Sequence, residues 1–253
     1  SHHLSHCLYG LSVIKNVSDY VYITCDGVGE GETMSVYTID NNFKIKKIWT
    51  NFYPDSIGLF YSTITEFLGF EINEGEFKVM SLSSFGKPIY EKELKEIFDI
   101  NNFKINMDYF EFHKNPSKSF SKKLYDLFGE PYLDIREEKN FNKYADIASS
   151  AQLILEHTMK NLIQKASDLS GKRKIVLTGG VALNCKMIHN LSKQSIFEEL
   201  IVPPSPGDSG SAVGAANFAF LEKSKNKTLK FSNMFLDPEK KLINKKENKD
   251  NFF

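Results

Sequence analysis

Hydrophobic and polar positions follow two rhythms along this chain. Val21, Tyr22, Ile23 and Thr24 form a β-branched and aromatic run, and Met34-Ser35-Val36-Tyr37-Thr38-Ile39 forms another. The polar stretch between them, Asp26-Gly27-Val28-Gly29-Glu30-Gly31-Glu32-Thr33, reads as the turn of a hairpin. Residues 43–48 alternate as a third strand, which predicts a meander. A helical rhythm takes over at residues 56–68, where Ile57, Phe60, Tyr61, Ile64, Phe67 and Leu68 share a face and Gly69 ends it. Residues 144–169 predict a long helix with Ile147, Ala151, Ile154, Leu155, Met159 and Leu162 on one side. Lys174-Ile175-Val176-Leu177-Thr178 reads as a buried strand that Gly179-Gly180 turns into a helix over 182–191. Ile201-Val202 is a short strand, 203–210 a loop, and 211–221 an alanine-rich helix. Strand–helix alternation after an antiparallel meander predicts an α/β domain with helices packed on a mixed sheet.

Composition changes this picture in two places. Residues 88–140 are rich in Lys, Glu, Asn and Phe and carry no motif, so they read as a helical or mixed insertion with 91–98 as its clearest helix. After Leu221 the chain turns to Lys, Asn and Glu, the composition of a linker, and 240–250 reads as a solvated charge run. Over all 253 residues, Lys plus Arg and Asp plus Glu are 32 each, so charge gives no argument for nucleic acid or an anionic membrane surface. No apolar run approaches the roughly 20 residues that span a bilayer. Cys7, Cys25 and Cys185 are sparse, odd in number and far apart, which points to reduced thiols and a cytoplasmic protein. The first residue is Ser, and Ser-His-His-Leu-Ser-His is already dense in functional side chains. That suggests a chain beginning in the middle of a longer protein.

Four constellations could carry chemistry. On a helix, His2 and His6 share one face about 5–6 Å apart at Cβ, a spacing that lets two imidazoles bind one metal ion; a tag remnant or a surface histidine cluster is the plainer alternative. Three glycines between Asp26 and Thr33 allow backbone N–H groups to approach a phosphate, or simply shape a hairpin turn. Thr178-Gly179-Gly180-Val181-Ala182-Leu183-Asn184 joins a strand to a helix whose N-terminus can face an anion, or needs glycine only for packing. It is neither a dinucleotide fingerprint nor a Walker loop. In Pro203-Pro204-Ser205-Pro206-Gly207-Asp208-Ser209-Gly210, Asp208 suits a helix N-cap or a ligand.

The order and phrasing of these segments resemble the O-carbamoyltransferases of the nodulation-protein-U and antibiotic-tailoring type. His2-His3-Leu4-Ser5-His6-Cys7 resembles that family's HHxSHA, and Asp26 to Thr33 its DGxGE segment. Ser56-Ile57-Gly58-Leu59-Phe60-Tyr61, then Gly69-Phe70 and Gly75-Glu76-Phe77-Lys78-Val79-Met80, are similar to SLGLFYS…LGF…GEYKVM. Gly179-Gly180-Val181-Ala182-Leu183-Asn184 and Pro206-Gly207-Asp208-Ser209-Gly210 resemble GGVALN and PGDSG. The likeness covers most of 1–86 and 144–221. Two departures stand out: Cys7 replaces an alanine, and Met80-Ser81-Leu82-Ser83-Ser84-Phe85-Gly86 stands where the family has MGLAxYG.

The resemblance implies an actin/hexokinase/Hsp70-like ATPase fold, incomplete at its N-terminus. Residues 1–87 would be the rest of a first subdomain, 88–143 an insertion, 144–222 a second subdomain, and 223–253 a linker toward a missing carbamoyladenylate-forming domain. It implies a divalent metal held by His2, His6, Asp26 and Asp208, iron first, with Mn²⁺ or Zn²⁺ also suited to two nitrogens and two oxygens. It implies ATP or carbamoyladenylate lined by Gly27, Gly29, Gly179, Gly180, Val181, Asn184, Gly207 and Gly210. The carbamoyl group, drawn from carbamoyl phosphate, would pass to a hydroxyl of a sugar or natural product. Lys78 is the candidate for stabilising phosphate charge and His3 for orienting or activating the acceptor. An N-terminal segment with the first strands and a histidine base would also be missing, so this chain alone would not make its own activated intermediate and would leave a sheet edge exposed. The alternatives are a non-catalytic nucleotide-binding remnant and a sugar kinase or ATPase of the same fold, which needs no histidine pair.

Overall fold

The computed structural model describes residues 1–115 and 117–223. The predicted linker beyond Lys223 and the charge run at 240–250 lie outside the described residues. In chain order the elements are α1 (His2–Tyr9), β1 (Tyr20–Gly29), β2 (Glu32–Ile39), β3 (Ile45–Phe52), α2 (Ile57–Phe67), α3 (Glu76–Leu82) and α4 (Glu91–Ile97). Then come β4 (Phe98–Asp99), β5 (Lys104–Ile105), α5 (Lys122–Phe128), α6 (Glu138–Ser170), β6 (Lys174–Thr178), α7 (Cys185–Ser192), β7 (Glu199–Ile201) and α8 (Asp208–Lys223).

Five strands form one mixed sheet in the order β3-β2-β1-β6-β7. The β1-β2 and β2-β3 pairs are antiparallel, whereas β6 and β7 run parallel to β1, so the expected α/β class is observed. Both faces of the sheet are covered, which is why β1 reads as a continuous apolar run rather than an alternating one. Val21, Ile23, Cys25, Ile175 and Leu177 face the larger core beneath α2 and α6. Tyr20, Tyr22, Tyr37, Ile39 and Val176 face a smaller core beneath α1 that includes Leu8, Leu11 and Leu221. None of the three cysteines is paired: Cys7 and Cys25 are buried and Cys185 is exposed. Among the described residues, no helix is long and apolar enough to cross a membrane.

The hairpin turn is tighter than expected. Only Glu30 (φ 52°) and Gly31 (φ 90°) form it, both with the positive φ of a two-residue primed turn. Asp26 to Gly29 belong to β1, and the register with β2 slips between Cys25↔Met34 and Gly29↔Glu32. The bulge lets Asp26 leave the ladder. Ser56 caps α2, accepting from Leu59 N–H at 3.0 Å, and its hydroxyl donates to Gly27 O at 2.6 Å, which ties the helix to the bulge.

The long helix starts earlier than its apolar pattern suggests, at Glu138, and ends at Gly171 in the left-handed region. The predicted helix over 182–191 divides into a 3-10 turn at Gly180–Leu183 and then α7, capped by the Asn184 side chain. Residues 88–143 hold α4, a two-residue β4-β5 hairpin and α5. Their Phe98, Phe103, Phe110, Phe120 and Phe128 join the larger core. Phe67 of α2 lies at the centre of this aromatic group, its ring 5.3 Å from Phe120, 6.0 Å from Phe128 and 6.5 Å from Tyr144.

Candidate metal centre

Three elements deliver the four donor groups: two from α1 and one each from β1 and α8. Helix α1 places His2 and His6 on one face through their i, i+4 spacing. The His2 ring lies over Gly29, where an added Cβ would be 2.7 Å from its Cγ. Glycine there makes room for the imidazole. Helix α8 reaches α1 through its own glycines: a Cβ on Gly210 would meet the Tyr9 ring at 2.5 Å, and one on Gly214 would meet Tyr9 N at 2.9 Å. That close packing brings Asp208, the first residue of α8, opposite the histidines. Its carboxylate sits at the positive end of the helix, where negative charge is favoured.

The donor atoms converge tightly. His2 Nε2 lies 3.0 Å from Asp26 Oδ2, 3.1 Å from His6 Nε2 and 3.4 Å from Asp208 Oδ1. His6 Nε2 lies 3.2 Å from both Asp26 Oδ2 and Asp208 Oδ1. One ligand atom from each of the four residues falls within 4.8 Å of every other. Donors about 2.0–2.2 Å from a common ion stand about 3.0–3.5 Å apart at right-angle or tetrahedral geometry, so most of these spacings suit a shared cation. Two imidazole nitrogens face one another across this point, an arrangement that a cation between them satisfies better than shared protons. His6 is buried and His2 is 27% exposed, while Asp208 is 77% exposed, so the centre opens on the Asp208 side. His6 Nδ1 is buried with no hydrogen-bond partner among the described residues. The usual outer partner of a ligating ring is therefore lacking there.

Charge at the centre is set by Asp26. Burial opposes its ionisation, but contacts with His6 and His2 and the Gly27 N–H outweigh burial and hold the carboxyl well below its ordinary range. Its Oδ1 accepts from Gly27 N–H at 2.9 Å and Gly180 N–H at 3.3 Å, leaving Oδ2 to the histidines. For His6, burial lowers the pKa, yet hydrogen bonding and charge from Asp26 and then Asp208 raise it above the ordinary value.

A cleft of about 1020 Å³ runs from this centre between α2, α3 and the Gly180–Leu183 turn. That is room for a nucleotide-sized ligand. His2, Asp26 and Asp208 stand at one end, and Gly27, Gly180, Val181, Asn184 and Gly207 line it as predicted positions. Gly29, Gly179 and Gly210 do not. A Cβ on Gly179 would be 2.7 Å from Cys25 C, so this glycine permits strand contact, as Gly29 and Gly210 permit ring and helix contact.

Two other expected residues lie elsewhere. Lys78 is exposed on α3, its ammonium 5.8 Å from the Phe70 and Phe77 ring centres, and is not part of the cleft wall. His3 is buried on the far side of α1, its Nδ1 2.8 Å from Ser35 Oγ. Burial drives its pKa down to about 4 against the opposing charges of Glu32 and Asp26. Its position on α1 turns it toward Ser35 of β2, while His2 and His6 turn toward Asp26 and Asp208.

The cleft also uses residues that the sequence did not assign to a site: Tyr61, Ser62, Glu76 and Met80. Tyr61 is visible in the periodicity as a core position, yet its hydroxyl reaches Gln152 Oε1 at 3.0 Å. The only signal for Gln152 was a polar residue inside the apolar stripe of α6. Where the sequence departs from MGLAxYG, Ser81 is exposed on α3, and Ser83 is buried and accepts from Lys186 Nζ at 2.8 Å. The retained Gly86 meets the α6 backbone, with space for no Cβ beside Asp146 N at 2.5 Å.

Comparison with known proteins agrees with the motifs. The family model described as carbamoyltransferase N-terminus matches residues 1–217. The uncharacterized protein sll1178 of Synechocystis is 34% identical over 85% of this chain and 35% of its own length. Nodulation protein NolNO of Sinorhizobium fredii is 28% identical over 85% of this chain and 30% of its own length. The chain thus spans about a third of the curated relatives it matches. Among solved structures it is similar to the activator of the 2-hydroxyisocaproyl-CoA dehydratase from Clostridium difficile with bound ADPNP. That match has 18% identity, covers 91% of this chain and 71% of the other, and has a TM-score of 0.47.

Proposed function

The chain belongs to the carbamoyltransferase family, and on that premise we propose that it carries the metal and nucleotide site of an O-carbamoyltransferase. In this reading the donor is carbamoyladenylate, made from carbamoyl phosphate and ATP by a further domain, and the acceptor is a hydroxyl of a sugar or natural product. The fold is read as actin/hexokinase/Hsp70-like. The observation that carries the proposal is the convergence of His2, His6, Asp26 and Asp208 at the head of a nucleotide-sized cleft.

Two imidazoles and two carboxylates suit Fe²⁺, Mn²⁺ or Zn²⁺ better than Ca²⁺. When bound, such an ion supplies Lewis acidity toward a phosphate or carbonyl oxygen. The chain's own residues do the rest. Gly27 and Gly180 hold Asp26 ionised and aimed, through N–H bonds to one oxygen. Val28 and Leu183, both exposed apolar side chains, give the cleft wall apolar surface. Transfer itself joins the acceptor oxygen to the carbamoyl carbon, breaks that carbon's bond to the adenylate phosphate oxygen and releases the acceptor proton. His3 supports the first turn of α1 from behind through Ser35.

Elemental analysis tests this. Wild type is expected to hold near-stoichiometric iron, manganese or zinc, and His6→Ala and Asp208→Ala each to lose it. A folded wild type that binds adenine nucleotide but no transition metal refutes the four-ligand centre and leaves the ATPase or remnant reading.

A further inference from the structure

Gln152 interrupts the apolar face of α6 among Ala148, Ala151 and Leu155, and it is buried. A carboxamide at such a position is disfavoured unless each of its polar atoms is paired. Every one is. Gln152 Oε1 accepts from Tyr61 OH at 3.0 Å and from Asn184 Nδ2 at 2.9 Å. Gln152 Nε2 donates to Asn184 Oδ1 at 3.0 Å and to Glu156 Oε1 at 2.9 Å. Gln152 and Asn184 thus face each other as reciprocally bonded amides.

The direction of this pairing is fixed from one side. A carboxylate only accepts, so Glu156 determines which end of the Gln152 amide turns toward it, and that end determines how the Asn184 amide lies. Glu156 is itself held by Asn190 Nδ2 at 2.9 Å. Asn184 then does two things. Its Oδ1 caps α7 by accepting from Met187 N–H at 2.9 Å, and its backbone N–H bonds Val181 O at 3.1 Å, closing the turn that forms the cleft wall. Gly180, at the start of that turn, gives its N–H to Asp26. Neither Gln152 nor Glu156 lines the cleft.

We propose that Gln152 is a positioning residue: through Asn184 it sets the Gly180–Asn184 turn for nucleotide binding, with Glu156 fixing the orientation of its amide. This rests on the nucleotide reading of the cleft. An apolar side chain of equal size would fill the same space and keep α6 packed, so a space-filling role and a positioning role predict different outcomes.

The test titrates AMP-PNP with Mn²⁺ into the full chain well below its melting temperature, which is recorded for each variant. Gln152→Met is expected to melt near wild type but bind AMP-PNP at least tenfold more weakly. Gln152→Glu sets two carboxylates against each other and is expected to lose as much. Adding Glu156→Gln to that variant removes the second carboxylate but leaves Asn184 Oδ1 facing an acceptor, so binding is expected to stay at least tenfold weaker than wild type. Wild-type affinity in both Gln152→Met and Gln152→Glu overturns the positioning role while leaving the cleft reading intact. If Gln152→Met does not fold, Q152E/E156Q decides alone, and wild-type affinity in that variant overturns the proposal. A wild type that binds no AMP-PNP removes the nucleotide reading and this inference with it.

Discussion

Gly29→Ala offers a sharp test of the metal centre because it removes no donor atom. The added methyl would lie 2.7 Å from His2 Cγ and 3.0 Å from its Cβ, and closer still to Cδ2. Carbon atoms settle at about 3.5–4.0 Å, so the imidazole must retreat by about 1 Å. His2 is partly exposed on the first turn of α1 and can move without disturbing either core. Metal–ligand distances tolerate only about 0.2 Å, so the displaced Nε2 no longer shares the point that Asp26, His6 and Asp208 define. Changes behind metal ligands typically weaken affinity about 10–100-fold, which corresponds to about 1.4–2.7 kcal/mol. Competition titration with Mn²⁺ or Zn²⁺ measures this directly, with urea unfolding of the metal-free proteins as the control for stability. A Gly29→Ala protein that binds metal within about threefold of wild type would refute the placement of His2 as a ligand.

Two other outcomes are expected. Phe67→Ala removes the ring that α2 inserts among Phe120, Phe128 and Tyr144. It should cost about 3–5 kcal/mol, and a loss below about 1 kcal/mol in urea melts would show that residues 88–143 do not share this core. Metal present at about 100 times its dissociation constant adds about 2.7 kcal/mol, so a chelator should lower the wild-type melting temperature by about 5–11 °C and leave His6→Ala unchanged. Equal responses from the two proteins would count against a single four-residue centre.

The sequence is most legible where one local rule decides. Strand β6 has the bounds its apolar run predicts, and α2 begins after a serine cap and stops before Gly69 because cap and breaker flank a clean helical period. Spacing alone puts His2 and His6 on one face. It does not say which neighbour that face meets, and the approach of Asp208 depends on Gly210 and Gly214 packing against α1 across some 200 residues of chain. Glycine was the least legible residue. Gly29, Gly179 and Gly210 sit in motifs that suggest phosphate contact, yet each is small because a ring, a strand or a helix lies against it. A lysine inside a motif, such as Lys78, likewise carries no information about its direction. Gln152 escaped notice because a polar residue in an apolar stripe acquires meaning only when its partners, 91 and 32 positions away, are known.

The centre joins residue 6 to residue 208, and this span has a consequence for how the protein matures. Holding two such distant points together in an unfolded chain costs about 5 kcal/mol in loop entropy, by the same relation that applies to a covalent cross-link. The unfolded chain therefore offers an ion at most the local His2–His6 pair. The two carboxylates arrive only after the sheet has formed and α8 has docked. An ion bound at this centre would therefore be captured in the last stage of assembly, once α8 has docked.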